Sequence, residues 1–83
     1  MRDNLTTGEL QYWLKEKLGA EIGVETDSVN LDMPFTKINL DSLSMVSLAY
    51  DLETYTGVVI DPTIFSEFDT PNKLVEWIHL KTN

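Results

Sequence analysis

The sequence contains no cysteine and has only six lysine and arginine residues against fourteen aspartate and glutamate residues. Without cysteine the chain can form neither a disulfide framework nor a thiolate metal cluster, and any thiol chemistry requires an added group. The net charge of −8 opposes binding to nucleic acid and to anionic lipid, because phosphates must be neutralised by basic side chains. The charge favours basic protein partners, or it serves only to keep a small protein dissolved.

Long apolar runs are also missing. The first residues, 1–5, lack the apolar core of a secretory signal, and no stretch approaches the length that spans a bilayer. We therefore predict a cytoplasmic protein without a membrane partner. With 83 residues, of which 42% are hydrophobic, the chain suits one small domain over residues 1–83 and leaves little room for an enzyme cleft. The start at Met1 and the short tails favour a discrete protein, although an excised domain would have the same features, and we expect a monomer.

Three segments have the apolar periodicity of amphipathic helices, and we predict an all-α bundle. The three principal helices should run from about Thr7 to Glu21, from Ser42 to Tyr55 and from Pro71 to Lys81. The first begins after a Thr6–Glu9 capping box, and Gly57 should end the second. A core of about a dozen side chains is expected to include Trp13, Leu14, Leu48, Leu52, Phe68 and Ile78, with Trp77 at its margin.

The connections are predicted to be loops with one short helix. From Gly23 to about Leu40 the sequence loses helical periodicity, so we expect a long first loop with four apolar anchors, namely Val29, Leu31, Phe35 and Ile38. Asp61, Pro62 and Thr63 should open a short helix or turn through Ile64, Phe65 and Phe68, with the proline at its first position. The β-favouring residues 58–60 are interpreted as loop that anchors the core.

A serine that opens a helix directly after a long loop is the most informative position. The hydroxyl of Ser42 should lie beside unpaired N–H groups at the positive end of the second helix, where a phosphodiester would be electrostatically favoured. The same residue is also a preferred N-cap, and Asp41-Ser42 before a helix needs no modification to be explained. From these two residues alone, plain capping is the favoured interpretation.

The residues that surround Asp41 and Ser42 favour a different interpretation from plain capping. It consists of the run Leu40-Asp41-Ser42-Leu43 followed by apolar residues at helical spacing and a glycine: Val46, Leu48, Leu52 and Gly57. Phe68, Asp69 and Pro71 then form a Phe-Asp-x-Pro signature before the last helix. Together these features resemble the acyl carrier protein family over nearly the whole chain, and most closely the discrete carriers of polyketide synthases.

The resemblance implies a non-catalytic carrier. Ser42 would be the residue to which a phosphopantetheinyl transferase attaches the 4′-phosphopantetheine of coenzyme A, and Asp41 would assist the transferase through its magnesium ion. The carrier would hold acyl or polyketide intermediates as thioesters. Its further partners would be an acyl-loading enzyme, either an acyltransferase or an acyl-adenylating ligase, and a ketosynthase or other enzymes of polyketide or fatty acid biosynthesis.

Three positions depart from the family pattern. Asn39 stands where these carriers usually have glycine, and asparagine tolerates a positive φ better than other residues. Ser47 replaces a frequent glutamate, and Tyr50-Asp51 replaces frequent basic residues. By analogy with the family's recognition helix, Leu43, Val46, Ser47 and Tyr50 would form the partner-binding face, although for Val46 core packing is an equal alternative. Asp51 and Glu53 are expected to be merely solvated.

Two rival functions remain. One is a peptidyl or aminoacyl carrier of the same fold, whose motif more often places glycine or histidine before the serine. The other is an unmodified helical adaptor in which Ser42 only caps a helix. A metal centre is not predicted, because His79 has no ligand at a suitable spacing, and the aromatic residues suit a core better than a base-stacking surface.

Overall fold

The computed structural model describes residues 6–38, 40–61 and 63–82, and this part of the chain is helical, as predicted, with no strand. Helices α1 (Thr7–Ile22), α2 (Ser42–Thr56) and α4 (Pro71–Thr82) are the three principal helices, and α3 (Ile64–Glu67) is the short one. The predicted fold class is therefore confirmed. No helix in the described ranges is both long and apolar enough to cross a membrane.

The ends of α1 and α2 follow from their capping residues. Thr6 has extended backbone angles, and its Oγ1 accepts a hydrogen bond from the Glu9 N–H at 3.0 Å, as the capping box predicts. Gly23 (φ +78°) and Gly57 (φ +76°) follow the last residues of α1 and α2 in the left-handed conformation. Because glycine adopts this conformation without steric cost, each glycine stops its helix sharply.

The first loop is more ordered than the sequence indicates. It contains two short 3₁₀ turns, Thr26–Ser28 and Phe35–Lys37, which the sequence pattern does not indicate. All four predicted anchors, Val29, Leu31, Phe35 and Ile38, are buried. The loop is also tied by backbone hydrogen bonds from the Phe35 N–H to Asp69 O (2.9 Å) and from the Asn72 N–H to Leu31 O (3.0 Å). The prediction for Asn39 lies outside the described residues.

The core is formed by apolar side chains from all four helices and from the loops. Its buried members are Leu10, Leu14, Leu18, Val29, Leu31, Phe35, Ile38, Leu48, Ala49, Leu52, Ile60, Ile64, Phe65, Leu74, Val75 and Ile78. Trp13 and Phe68 are only half-buried, which differs from the prediction. Trp13 stacks on Tyr55 (centroids 4.9 Å apart) and Phe68 packs on Trp77 (5.7 Å), so these aromatic pairs lie at the margin of the core.

The connection after α2 is held by two polar side chains. Glu53 Oε1 accepts a hydrogen bond from the Ile60 N–H at 2.9 Å, so the prediction of a merely solvated Glu53 is wrong. The buried Thr56 hydroxyl donates to Leu52 O (2.8 Å) and accepts from the Val58 N–H (3.1 Å). These bonds hold the loop that starts at Gly57 against the end of α2, where Ile60 enters the core.

The chain enters α3 through Asp61, whose carboxylate accepts hydrogen bonds from the Thr63 N–H and from the Thr63 hydroxyl, both at 2.9 Å. These bonds lower the pKa of Asp61. The α-helix itself starts at Ile64, two positions later than predicted, and the expectation for Pro62 lies outside the described residues. Thr70 precedes α4, and its Oγ1 accepts from the Lys73 N–H at 3.3 Å. Both helix starts thus use the residue types that the sequence indicates.

Candidate functional site

Ser42 is the first residue of α2, and its side chain is exposed. The N-cap is the preceding residue, Asp41, which has extended backbone angles (φ −87°, ψ 176°) and whose Oδ1 accepts from the Ser44 N–H at 2.7 Å. The interpretation of Ser42 as the capping residue is therefore wrong. Within the described residues, no hydrogen bond engages the Ser42 hydroxyl, so this group is available for reaction.

The first turn of α2 is also fastened to α1. The Ser44 hydroxyl donates to Glu21 Oε2 at 2.9 Å, and Glu21 lies in the last turn of α1. Ser44 thus donates its N–H to the carboxylate of Asp41 and its O–H to the carboxylate of Glu21. These two hydrogen bonds fix the start of α2. The sequence pattern does not indicate that Glu21 and Ser44 belong to this site, because the two are 23 positions apart and only the fold brings them together.

The electrostatics of this helix start favour negative charge. The dipole of the 15-residue helix α2 places partial positive charge at Ser42. The hydrogen bond from the Ser44 N–H is the main cause that lowers the pKa of Asp41, and the Ser44 side chain and the Leu43 N–H act in the same direction. A negatively charged group attached at Ser42 would be stabilised by the same positive end of α2.

The pKa of Asp41 leads to a test of its capping role. Because the folded state lowers this pKa, the charged carboxylate stabilises the fold at pH values above its unfolded pKa of about 4. This contribution is lost as the pH falls through the folded pKa. We expect wild type to be more stable than Asp41→Asn above about pH 5, and the difference to shrink below pH 4.

Urea unfolding of both proteins at pH 7 and pH 3 measures this difference. Asparagine keeps an oxygen acceptor but does not titrate, so the other carboxylates, including Asp61, cancel in the comparison. An equal stability difference at the two pH values would contradict the capping role of the Asp41 carboxylate.

The four residues predicted to form a partner-binding face all lie on the exposed surface of α2. Leu43 is 79%, Val46 51% and Tyr50 71% exposed, and Ser47 is exposed as well. Val46, for which core packing was an equal alternative, therefore lies outside the core. Leu48 and Leu52, on the opposite side of the helix, are buried.

No group of three or more histidine or acidic side chains in the described residues has the geometry of a metal site. His79 lies half-buried on α4. One surface cavity, of about 540 Å³, lies between α1 and the end of α2, and its lining includes Tyr12, Trp13 and Tyr55. It is far along α2 from Ser42, because Tyr55 lies in the last turn of this helix.

The described residues form a small helical domain with an exposed serine hydroxyl at the start of one helix. Residues 13–78 match the sequence profile of the phosphopantetheine attachment site family. The chain is 35% identical, over 90% of its length and 87% of the relative's, to the actinorhodin polyketide synthase acyl carrier protein of Streptomyces coelicolor. It is 30% identical to the acyl carrier protein TtuC of Teredinibacter turnerae, over 72% of this chain and 69% of the relative.

Among solved structures, a free-standing peptidyl carrier protein of Acinetobacter baumannii superposes with a TM-score of 0.84 at 26% sequence identity, covering 93% of this chain and 96% of the other. The chain therefore belongs to the phosphopantetheine-binding carrier protein family. It is a non-catalytic carrier, and proteins of this kind interact with a phosphopantetheinyl transferase and with biosynthetic enzymes. The resemblance stated from the sequence is confirmed at the level of the family.

Proposed function

We propose that the phosphopantetheine arm is attached to Ser42 and that the protein carries acyl intermediates as thioesters. The observation that carries this proposal is the exposed Ser42 hydroxyl, which makes no hydrogen bond to the described residues while Asp41 caps α2 in its place. Attachment would form one bond, from Ser42 Oγ to the phosphorus of the pantetheine phosphate, and would break the pyrophosphate P–O bond of coenzyme A. Adenosine 3′,5′-bisphosphate would leave with the bonding electron pair, and the hydroxyl proton would be released to solvent. The resulting phosphodiester would lie at the positive end of α2.

The chain suits this role for three reasons, two of which concern the residues around Ser42. Asp41 supplies the cap, so esterification of Ser42 costs the helix no capping bond. The Ser44–Glu21 hydrogen bond holds the start of α2 in place while the arm moves. The absence of cysteine means that the arm provides the only thiol of the protein. Once loaded, the arm keeps its cargo tethered, which raises the effective concentration of the cargo for each enzyme that docks.

We infer an acyl cargo of polyketide or fatty acid biosynthesis. The two relatives at 35% and 30% identity are both acyl carriers. Asp41 precedes Ser42, where the motif of peptidyl carriers more often has glycine or histidine. The partners would then be a phosphopantetheinyl transferase, an acyltransferase or acyl-adenylating ligase that loads the arm, and a ketosynthase or other enzyme of the pathway. Leu43, Val46, Ser47 and Tyr50 would form the face that these enzymes contact.

A peptidyl or aminoacyl carrier is the second candidate, and one observation favours it. The free-standing peptidyl carrier protein has the same fold, with a TM-score of 0.84, and retains 26% identity. The chain fold is shared by both kinds of carrier, so the cargo has to be decided by the loading enzyme.

The test is an intact-mass measurement in two stages. Incubation with coenzyme A, magnesium and a broad-specificity phosphopantetheinyl transferase should add the mass of one phosphopantetheine, and an unchanged mass would favour the unmodified adaptor. The product is then offered separately to an adenylating enzyme that activates fatty acids and to one that activates amino acids. We expect loading by the first; loading by the second alone would assign the protein to the peptidyl carriers.

A further inference from the structure

A groove lined by aromatic rings lies between α1 and the last turn of α2. Its lining residues are Gly8, Glu9, Tyr12, Trp13, Glu16 and Tyr55, and we call these six residues the aromatic groove. Trp13 and Tyr55 form a stack, with ring centroids 4.9 Å apart and ring planes at 11°. Tyr12 is 58% exposed. The two helices therefore hold a stacked pair of rings, and a third ring beside it has more than half of its surface in water.

The charged residues of the aromatic groove are acidic. Glu9 and Glu16 are both exposed, and among the described residues no lysine or arginine lines the groove. Glu9, Tyr12 and Glu16 recur at spacings of three and four along α1, so they lie on one side of this helix. No hydrogen bond or ion pair joins Glu16 to another residue that the structure describes. The groove thus combines aromatic faces with the unpaired negative charge of Glu16.

A lysine of this chain already contacts one of the rings. The Lys17 ammonium group lies 5.5 Å from the centroid of the Trp13 ring, within the distance of about 6 Å at which a cation is attracted to an aromatic face. Lys17 is not part of the aromatic groove, and its charge is balanced by the Asp51 carboxylate, 4.0 Å away. The more exposed Tyr12 ring offers a further face to a cation from outside the chain.

We propose that the aromatic groove binds an arginine-bearing basic segment of a partner protein. The planar guanidinium group stacks on aromatic rings and is more weakly hydrated than an ammonium group, and its charge complements Glu16. The cavity volume of about 540 Å³ is typical of sites that receive a small ligand, so it suits a few side chains of a segment. A second copy of this chain is disfavoured, because a protein with a net charge of −8 is repelled by an acidic groove.

The aromatic groove is distant from Ser42. Tyr55 lies 13 residues after Ser42 in the same helix, which is about 20 Å along the axis of α2. A segment bound in the groove would therefore leave Ser42 uncovered. Such a segment would keep the carrier beside its partner while other enzymes act at Ser42, and it would raise the local concentration of the carrier. The binding itself does not depend on the proposed attachment at Ser42.

The indole N–H signals of the two tryptophans allow the binding to be measured by NMR. Trp13 belongs to the aromatic groove, whereas Trp77 lies on α4. The probe is the pentapeptide Gly-Arg-Leu-Arg-Gly with blocked ends, and the matched probe has citrulline, a neutral isostere, in place of each arginine. We expect the arginine peptide to shift the Trp13 signal without moving that of Trp77. It should bind at least tenfold more tightly than the citrulline peptide.

Variants of the groove test which side chains bind the peptide. Tyr12→Ala should weaken binding about fivefold or more, and Tyr12→Phe should retain it because the ring remains. Glu16→Gln should weaken binding about threefold at 50 mM NaCl, and the difference should vanish at 500 mM because salt screens exposed charges. The matched controls are Leu80→Ala, which removes a 76% exposed side chain of α4, and Glu67→Gln on α3. Both should stay within twofold of wild type.

Circular dichroism and the Tm of each variant verify that the fold is intact. The inference is overturned if about 10 mM arginine peptide leaves the Trp13 signal of wild type unmoved, if the citrulline peptide binds as tightly, or if Tyr12→Ala stays within twofold of wild type. A wild-type dimer that Tyr12→Ala dissociates would assign the groove to a second copy. A fivefold gain of affinity in Arg2→Gln would assign it to the arginine of this chain. Either result would also overturn the inference.

The outcome is separable from that of the proposed function, because the titration is run on the full chain before and after treatment with the transferase. We expect equal affinity for the arginine peptide in both forms. A chain that binds the peptide but gains no phosphopantetheine contradicts only the proposed function. A fully modified chain whose Trp13 signal does not respond contradicts only this inference.

Discussion

Replacing Ser42 by alanine is expected to abolish phosphopantetheine attachment completely while leaving the fold intact. The variant has no nucleophilic oxygen at the start of α2, so the transferase has nothing to esterify. The fold should survive because Asp41, not Ser42, caps the helix, and because no described residue hydrogen-bonds to the Ser42 hydroxyl. Alanine is also the best helix former. Intact mass after exhaustive incubation should therefore equal that of the unmodified variant.

Two other serines serve as matched controls. Ser44→Ala removes the hydrogen bond to Glu21 from the same helical turn, and Ser66→Ala removes an exposed hydroxyl on α3. Both variants should still gain one phosphopantetheine, and Ser44→Ala should react more slowly if the bond to Glu21 positions the start of α2. Attachment to the Ser42→Ala variant, or loss of attachment in Ser66→Ala, would assign the arm to a different residue.

The sequence predicts the helices well because their apolar residues recur at helical spacing. It does not decide which of two adjacent residues caps α2, since aspartate and serine are both preferred at an N-cap. That choice depends on backbone angles and on the Asp41–Ser44 hydrogen bond, which exist only in the folded chain. The distinction matters for function, because it determines whether Ser42 is engaged or available.

The spacing of apolar residues in the sequence does not predict contacts between residues that are distant along the chain. The Ser44–Glu21 and Glu53–Ile60 hydrogen bonds each join a helix to another segment, and an isolated charge in a sequence gives no sign of such a partner. The backbone bonds of the first loop pose the same difficulty, since the Phe35 N–H reaches Asp69 O, across 34 positions. These contacts are nevertheless what fixes the loop and the start of α2 relative to the core.

Replacing a buried leucine of α2 by alanine is expected to have the largest effect on the stability of the fold. Leu52 is fully buried in α2, on the side opposite the exposed residues Leu43 and Tyr50. Leu52→Ala removes apolar contacts and leaves a cavity, at a cost of about 2–5 kcal/mol. A domain of this size has a total stability of roughly 4–12 kcal/mol. The substitution should therefore lower the Tm by about 8 °C or more.

The control for this experiment lies on the same helix. Leu43→Ala makes the same chemical change, but Leu43 is 79% exposed, so its effect on the free energy of unfolding should stay within about 0.5 kcal/mol. Urea unfolding of both variants at pH 7 measures the two values, and an unchanged m-value would show that the unfolded state is the same. Equal losses at the two positions would contradict the assignment of one face of α2 to the core and the other to solvent. The expected contrast assigns Leu52 to the support of the fold, while Leu43 stays exposed on the other side of α2, where partner contact is proposed.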